Sequence, residues 1–141
     1  MSRNRKSTLA AWKKFQRDTA VLFGIERNEY NLKKGLEEPD IDLGEYFKGE
    51  ILVIECKNTQ TLSPRKALEQ CRKYRPSSIC VVAYKPSAGK RGDKMYITFY
   101  DMIRLVFGSL PRKAGYNSIV CLSLKGFSEL YLKVVSRQNR S

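Results

Sequence analysis

The sequence contains no histidine, and this absence excludes every mechanism that depends on an imidazole group. This chain therefore cannot use the mechanisms of serine–histidine triads, histidine–metal nucleases or most zinc hydrolases. Any catalysis by this protein must use carboxylates, lysine ammonium groups and hydroxyls.

Long apolar runs and a secretory leader are also absent from the sequence. No stretch approaches the roughly eighteen consecutive apolar residues that a membrane-spanning helix needs, so we predict no membrane span. The N-terminal segment "MSRNRKSTLAAWKK" carries charge but lacks the apolar centre of a signal peptide. We therefore expect a cytoplasmic protein, which would act in the host cytoplasm if a phage encodes it.

Cysteine is scarce and dispersed along the chain. The four cysteines form no C-x-x-C pair, so we expect no zinc site built from neighbouring thiolates. A disulfide framework is not expected in a single domain without a signal sequence. The cysteines are instead expected to be small buried hydrophobic residues: Cys56, Cys71, Cys80 and Cys121.

Acidic residues are few, and half of them are concentrated in one segment. The chain has 27 Lys and Arg against 14 Asp and Glu, a formal net charge of +13. Such a basic balance favours a polyanionic partner, most often nucleic acid, over an inert basic surface or affinity for anionic membranes. Seven of the 14 acids lie between positions 37 and 55: Glu37, Glu38, Asp40, Asp42, Glu45, Glu50 and Glu55.

The length and hydrophobic patterning predict one α/β domain. A chain of 141 residues with 42% hydrophobic residues can bury a core without disulfides or metals. We predict a basic N-terminal arm over 1–7 and one domain over 8–141, divided into a core over 8–110 and a C-terminal extension over 111–141.

The periodicity along the chain predicts a mixed sheet flanked by helices, in the order α-β-β-β-α-β-β-α. After residue 117, "SIVCLSL" is typical of a strand, whereas "FSELYLKVV" fits either type of element. The predicted helices cover 8–24, 64–74 and 101–107, and the predicted strands lie within 25–36 and over 40–47, 50–57, 78–84 and 94–100.

The two alternating runs around Lys48-Gly49 predict an antiparallel hairpin that explains the acidic segment. A register that closes at this turn places Asp42 opposite Glu55 and Asp40 opposite Lys57, all on one face. Two facing carboxylates repel each other unless a cation lies between them, and Mg²⁺ is the natural candidate. Lys57 on the same face can approach a water molecule or a phosphate.

These residues carry a resemblance to a known family of nucleases. The pattern of Pro39-Asp40, Asp42 and Glu55-Cys56-Lys57 resembles the PD-(D/E)XK nuclease superfamily, with spacing most similar to archaeal- and phage-type Holliday junction resolvases. The resemblance implies a restriction-endonuclease-like fold in which a strand acid and Glu55 bind Mg²⁺. It also implies that the Cys56 carbonyl is a further ligand and that Lys57 assists hydrolysis.

Two other segments extend the resemblance, which covers about residues 12 to 100. "WKKFQRDTAVLFG" is similar to the first helix of related nucleases, with Gln16 in the place of the usual Glu. Because Gln16 lies within an apolar stripe, we expect it to have a buried hydrogen-bonding partner. Gln70 and Tyr74 match a Q-x-x-x-Y element of the exonuclease branches.

The identity of the strand acid stays open between two residues. The preceding proline favours Asp40 by motif, whereas the predicted register favours Asp42, and we prefer Asp42. The catalytic candidates are then Asp42, Glu55, Lys57, Gln16 and Asp40.

The expected function is a Mg²⁺-dependent DNA endonuclease, with Mn²⁺ as a substitute, acting as a homodimer on branched DNA in recombination and repair. The alternatives are a restriction-like or end-processing nuclease of the same fold, and a DNA-binding module with a degenerate site. Eight residues are candidates for DNA contacts: Arg3, Arg5, Lys6, Lys13, Gln70, Tyr74, Lys90 and Arg91.

Overall fold

A computed structural model describes most of the chain, namely residues 5–25, 41–47, 50–74, 76–86, 93–108 and 116–138. Within these ranges the elements follow the order α-β-β-α-β-β-α-β-α. They are α1 (Arg5–Leu22), β1 (Ile41–Phe47), β2 (Glu50–Lys57), α2 (Pro64–Tyr74), β3 (Ile79–Tyr84), β4 (Lys94–Thr98), α3 (Phe99–Phe107), β5 (Ile119–Ser123) and α4 (Leu124–Gln138).

The strands form one five-stranded mixed sheet in the order β1-β2-β3-β4-β5. Strands β2 and β3 are parallel because α2 connects them as a crossover, and the other neighbours are antiparallel. The prediction of an α/β protein with a mixed sheet flanked by helices is confirmed. The strand predicted within 25–36 falls mainly on residues outside the described ranges.

The alternation of side chains along β2 gives the sheet two different faces. Leu52, Ile54 and Cys56 belong to the larger core, which α1, α3 and α4 cover. Val53, on the opposite face, packs in a smaller core against Ala67, Leu68 and Cys71 of α2. Glu55 and Lys57 have the parity of Val53, so they lie on the face that α2 covers.

Helix α1 begins at Arg5, three residues before the predicted start, so the predicted N-terminal arm over 1–7 overlaps the helix. It ends at Leu22, two residues before the predicted end at 24, and Gly24 follows with a φ of 89°, a left-handed conformation that glycine adopts without strain. The buried residues of α1 follow helical spacing and include Phe15, Gln16 and Ala20.

The C-terminal segment whose element type the sequence left open, strand or helix, forms helix α4. Leu124, Phe127 and Tyr131 lie on one side of this helix and are buried in the larger core. The ring of Phe23 contacts both aromatic side chains, with centroid distances of 5.9 Å to Phe127 and 5.3 Å to Tyr131. The region that we predicted as an extension therefore completes the core around α1.

Within the described ranges, no helix combines the length and the apolar character needed to cross a bilayer.

The register of the hairpin differs from the prediction. Phe47 pairs with Glu50, as predicted at the turn, but Asp42 pairs with Val53 and Ile41 pairs with Ile54. The prediction that Asp42 lies opposite Glu55 was wrong. Two irregularities on β1, on either side of Glu45, each insert one extra residue and together shift the pairing by two positions.

A sequence signal for this shift was present in Gly44. Glycine inside a strand often marks a bulge, and bulges are common on edge strands such as β1. Because the total shift is two residues, positions 42, 53 and 55 still belong to the same face of the ladder. Position 42 is therefore diagonal to Glu55 rather than directly opposite it.

The cysteines are not equivalent, which corrects the expectation that all four are buried. Cys56, Cys71 and Cys80 are buried, whereas Cys121 is exposed on the edge strand β5. A hydrogen bond with Cys80 and burial together raise the pKa of the Cys71 thiol above its ordinary value. Thiolate, the reactive form, is therefore disfavoured at Cys71.

We expect one thiol per native chain to react rapidly with dithiobis(nitrobenzoate), and all four thiols to react after unfolding in guanidinium chloride. The rapid thiol is that of Cys121, because the other three are shielded by the core. Absorbance at the thionitrobenzoate band measures the count, and Cys121→Ser should remove the fast phase. Two or more fast thiols in the native protein would contradict this assignment.

Candidate active site

Glu55 and Lys57 lie at the end of β2, on the face that α2 covers. Glu55 is 6% exposed, and its Oε1 lies 3.7 Å from Nζ of Lys57. That distance is typical of an ion pair rather than of a direct hydrogen bond. A nearly buried carboxylate and a partly exposed ammonium group therefore lie side by side at the edge of the smaller core.

Helix α2 brings Gln70 to the same place. The helix begins at Pro64, after Ser63, whose carbonyl oxygen accepts a hydrogen bond from the backbone N–H of Ala67 at 3.1 Å. Proline is well suited to this first position because it has no N–H to leave unpaired. Oε1 of Gln70 then accepts a hydrogen bond of 2.9 Å from Nζ of Lys57.

Trp12 approaches the end of β2 from the opposite face of the sheet. Its indole Nε1–H donates a hydrogen bond of 3.1 Å to the carbonyl oxygen of Cys56. The sequence did not predict this contact, although a half-buried indole N–H usually finds an acceptor. The contact fixes the main chain between Glu55 and Lys57.

Buried acceptors without donors occur on α1 and directly after β2. Gln16 is 2% exposed, yet its Oε1 accepts no hydrogen bond from the part of the chain that the structure describes. The same is true of Oγ1 of Thr19 and Oδ1 of Asn58. The buried partner predicted for Gln16 is therefore not found among the described residues. Each such atom costs about 1–3 kcal/mol unless water or an ion satisfies it.

Several predicted site residues have no described side chain. The structure describes the main chain of Asp42 within β1 but not its side chain, and Asp40 lies outside the described residues. Among the predicted DNA contacts, Gln70 bonds Lys57, and Lys13 is half-buried on α1. The other candidates are outside the described residues or lack a described side chain: Arg3, Arg5, Lys6, Tyr74, Lys90 and Arg91.

The comparisons with known proteins give no family for this chain. No protein-family model matches it, and no curated protein matches it. Its function is therefore inferred from the side chains at the end of β2.

The described carboxylate at this site, that of Glu55, is of the ligand type that a hard divalent cation prefers. Within the described ranges, no group of three or more Cys, Asp and Glu residues could hold a metal ion. Mg²⁺, however, is often bound by only one or two carboxylates, with water and substrate phosphate completing its shell. Glu55 can supply one oxygen ligand, whereas Gln16 belongs to α1, which covers the opposite face of the sheet.

A second polar cluster, which the sequence analysis did not predict, holds α2 in position. Asp101 of α3 is fully buried and pairs with the guanidinium groups of Arg72 and Arg104. Its Oδ2 also accepts a hydrogen bond of 3.2 Å from the backbone N–H of Cys80. Because Arg72 belongs to α2, this cluster ties the helix that carries Gln70 to α3 and β3. The T-x-x-D pattern in the sequence signals the N-cap of α3, in which Thr98 accepts a hydrogen bond from the N–H of Asp101, but it does not signal the ion pairs.

Proposed function

We propose that this chain is a Mg²⁺-dependent DNA endonuclease with a restriction-endonuclease-like fold. The observation that carries the proposal is the side-by-side arrangement of Glu55 and Lys57, with Oε1 and Nζ 3.7 Å apart, on one face of the hairpin strand β2. The net charge of +13 supports an anionic polymer as the substrate. The absence of histidine favours carboxylate and lysine chemistry over the alternatives.

The second carboxylate of the site is Asp40 in this proposal, rather than Asp42. The described pairs Asp42–Val53 and Ile41–Ile54 make Asp42 diagonal to Glu55, so Asp42 is not the nearest position across the ladder. Positions directly opposite each other are the closest across a ladder. The motif also favours Asp40, since proline precedes it.

Each residue then has a defined part in phosphodiester hydrolysis. When bound, Mg²⁺ would supply Lewis-acid polarisation of a phosphate oxygen. Glu55 and Asp40 would hold the ion, with the Cys56 carbonyl as a further ligand on the strength of the resemblance. The Lys57 ammonium group would orient the attacking water and stabilise the negative charge that develops on the phosphate. Trp12 would keep the Cys56 carbonyl in place through its hydrogen bond.

The substrate that we favour is branched DNA, cut by a homodimer of the resolvase type. Two symmetric nicks in a four-way junction require two active sites related by a two-fold axis, which a homodimer provides. A restriction-like or end-processing nuclease of the same fold is the alternative within the enzymes.

Cleavage of defined DNA substrates tests the proposal. We expect the purified protein to nick a four-way junction in the presence of Mg²⁺ or Mn²⁺, and to leave linear duplex and single strands largely uncut. Glu55→Gln should bind the junction but not cut it, because it retains the shape of the side chain without its charge. Uniform cutting of linear duplex at one sequence would contradict the junction specificity and favour the restriction-like alternative.

A DNA-binding module with a degenerate site is the second candidate. The observation that favours it is Gln16, a neutral residue at the position where nucleases of the family that this sequence resembles carry Glu. If the wild type binds DNA but cuts none of these substrates with any divalent cation, the binding module is the correct account.

A further inference from the structure

One hydrogen bond at the site is not used by the proposed chemistry. Oε1 of Gln70 accepts a 2.9 Å hydrogen bond from Nζ of Lys57, which joins the middle of α2 to the end of β2. Gln70 is one of the residues that we predicted to contact DNA. Because its carbonyl oxygen already accepts a hydrogen bond from the Lys57 ammonium group, we expect Gln70 to act on Lys57 instead of on DNA.

We propose that Gln70 is a positioning residue for Lys57, whose ammonium group it holds in the orientation needed for phosphodiester hydrolysis. This inference rests on the proposed nuclease function. It adds a residue that acts through Lys57 instead of touching the substrate.

The geometry of the ammonium group supports this role. Lysine has three N–H donors on a flexible stem. One donor points to Gln70 at 2.9 Å, and the Glu55 carboxylate at 3.7 Å attracts the group from a second direction. A hydrogen bond along one N–H restricts rotation about the Cε–Nζ bond, so the other two N–H donors are oriented before a water or phosphate arrives. Catalytic groups gain rate from such pre-organisation because no reorientation is needed in the reaction.

The chemistry of the amide also suits this position. A neutral carbonyl oxygen holds an ammonium group without adding a negative charge beside Glu55. A second carboxylate there would repel the phosphate that the site has to receive. The backbone of Gln70 is firmly held, since its neighbour Cys71 is fully buried in the smaller core and the next residue, Arg72, pairs with Asp101.

The test compares Gln70→Met with Glu69→Met. Methionine has nearly the length of glutamine but cannot accept a strong hydrogen bond, and Glu69 is an exposed neighbour on the same helix. We expect Gln70→Met to lower kcat for junction cleavage about ten-fold or more while KM stays within about two-fold. Glu69→Met should change neither constant by more than about two-fold.

A second measurement does not require activity. The ¹⁵N-labelled ammonium group of Lys57, assigned with Lys57→Arg, should exchange its protons at least about ten-fold faster in Gln70→Met than in the wild type. Gln70→Glu, which retains an acceptor, should keep the slow exchange, and Glu69→Met should match the wild type. Circular dichroism melting of each variant checks that the fold is intact.

Three results would overturn the inference. Equal exchange rates in Gln70→Met and Glu69→Met would show that Gln70 does not hold Lys57. A rise in KM without a fall in kcat would return Gln70 to the role of a DNA contact. If the wild type cuts no DNA although the exchange rate depends on Gln70, the nuclease proposal fails and the role in catalysis fails with it. The two failures are therefore distinguishable.

Discussion

Replacing Asp40 by asparagine is expected to lower the rate of Mg²⁺-dependent DNA cleavage by about a thousand-fold, whereas Asp42→Asn should stay within about ten-fold of the wild type. The physical reason is the register of the hairpin. Asp42 pairs with Val53, which makes it a diagonal neighbour of Glu55. Diagonal positions are about 7–8 Å apart across an antiparallel ladder, against about 5 Å for directly opposite ones.

The length of a metal–ligand bond makes this difference decisive. Mg²⁺ holds oxygen ligands at about 2.1 Å in a nearly ideal octahedron, so two carboxylates that share one ion must bring their oxygens close together. A position opposite Glu55 meets that requirement more easily than a diagonal one. Single-turnover cleavage of a labelled junction measures the effect, with Glu55→Gln as the inactive reference. The reverse order of losses would identify Asp42 as the ligand.

Replacing Asp101 by asparagine is expected to reduce the free energy of unfolding by about 3 kcal/mol. Asp101 is fully buried, and its carboxylate faces two guanidinium groups, those of Arg72 and Arg104. Asparagine removes the negative charge and leaves both cations without their counter-ion. The cost of the unpaired charge is larger at Arg104, because its side chain is only 10% exposed. The side chain of Arg72 is 30% exposed, so water can solvate its charge in part.

Urea unfolding, followed by far-ultraviolet circular dichroism, measures this loss of stability. Glu129→Gln is the matched control, since it also removes one carboxylate but from an exposed position on α4. Surface changes of this kind usually stay within about 0.5 kcal/mol. If Asp101→Asn costs no more than Glu129→Gln, the cluster does not stabilise the fold in the way its geometry indicates.

The types of element were largely predictable from the sequence because they depend on local periodicity. The runs that form β1 and β2 alternate, and the helix predicted over 64–74 is found as α2. The segment of α4 could not be assigned in this way. Its apolar residues fit two periods, and the helix is selected by the packing of Phe127 and Tyr131 on Phe23, which directly follows α1.

The candidate site was predictable in its residue types and in its face, but not in its pairing. Side chains alternate along β2 whatever strand lies beside it, so Glu55 and Lys57 share a face on any register. The partner of Glu55 depends on how many extra residues β1 accommodates, and the bulges on either side of Glu45 changed that number by two. A shift of two preserves the face and changes the neighbour.

By itself, the sequence determined the chemistry that is available: no imidazole, an excess of positive charge, and a carboxylate and an amine two residues apart on a strand. Only the tertiary structure decided which groups surround them. The amide of Gln70 lies 13 residues from Lys57 along the chain, and the indole of Trp12 lies 44 residues from the Cys56 carbonyl. Local periodicity carries no information about such distant contacts, because they form only when α1 and α2 pack on opposite faces of the same sheet.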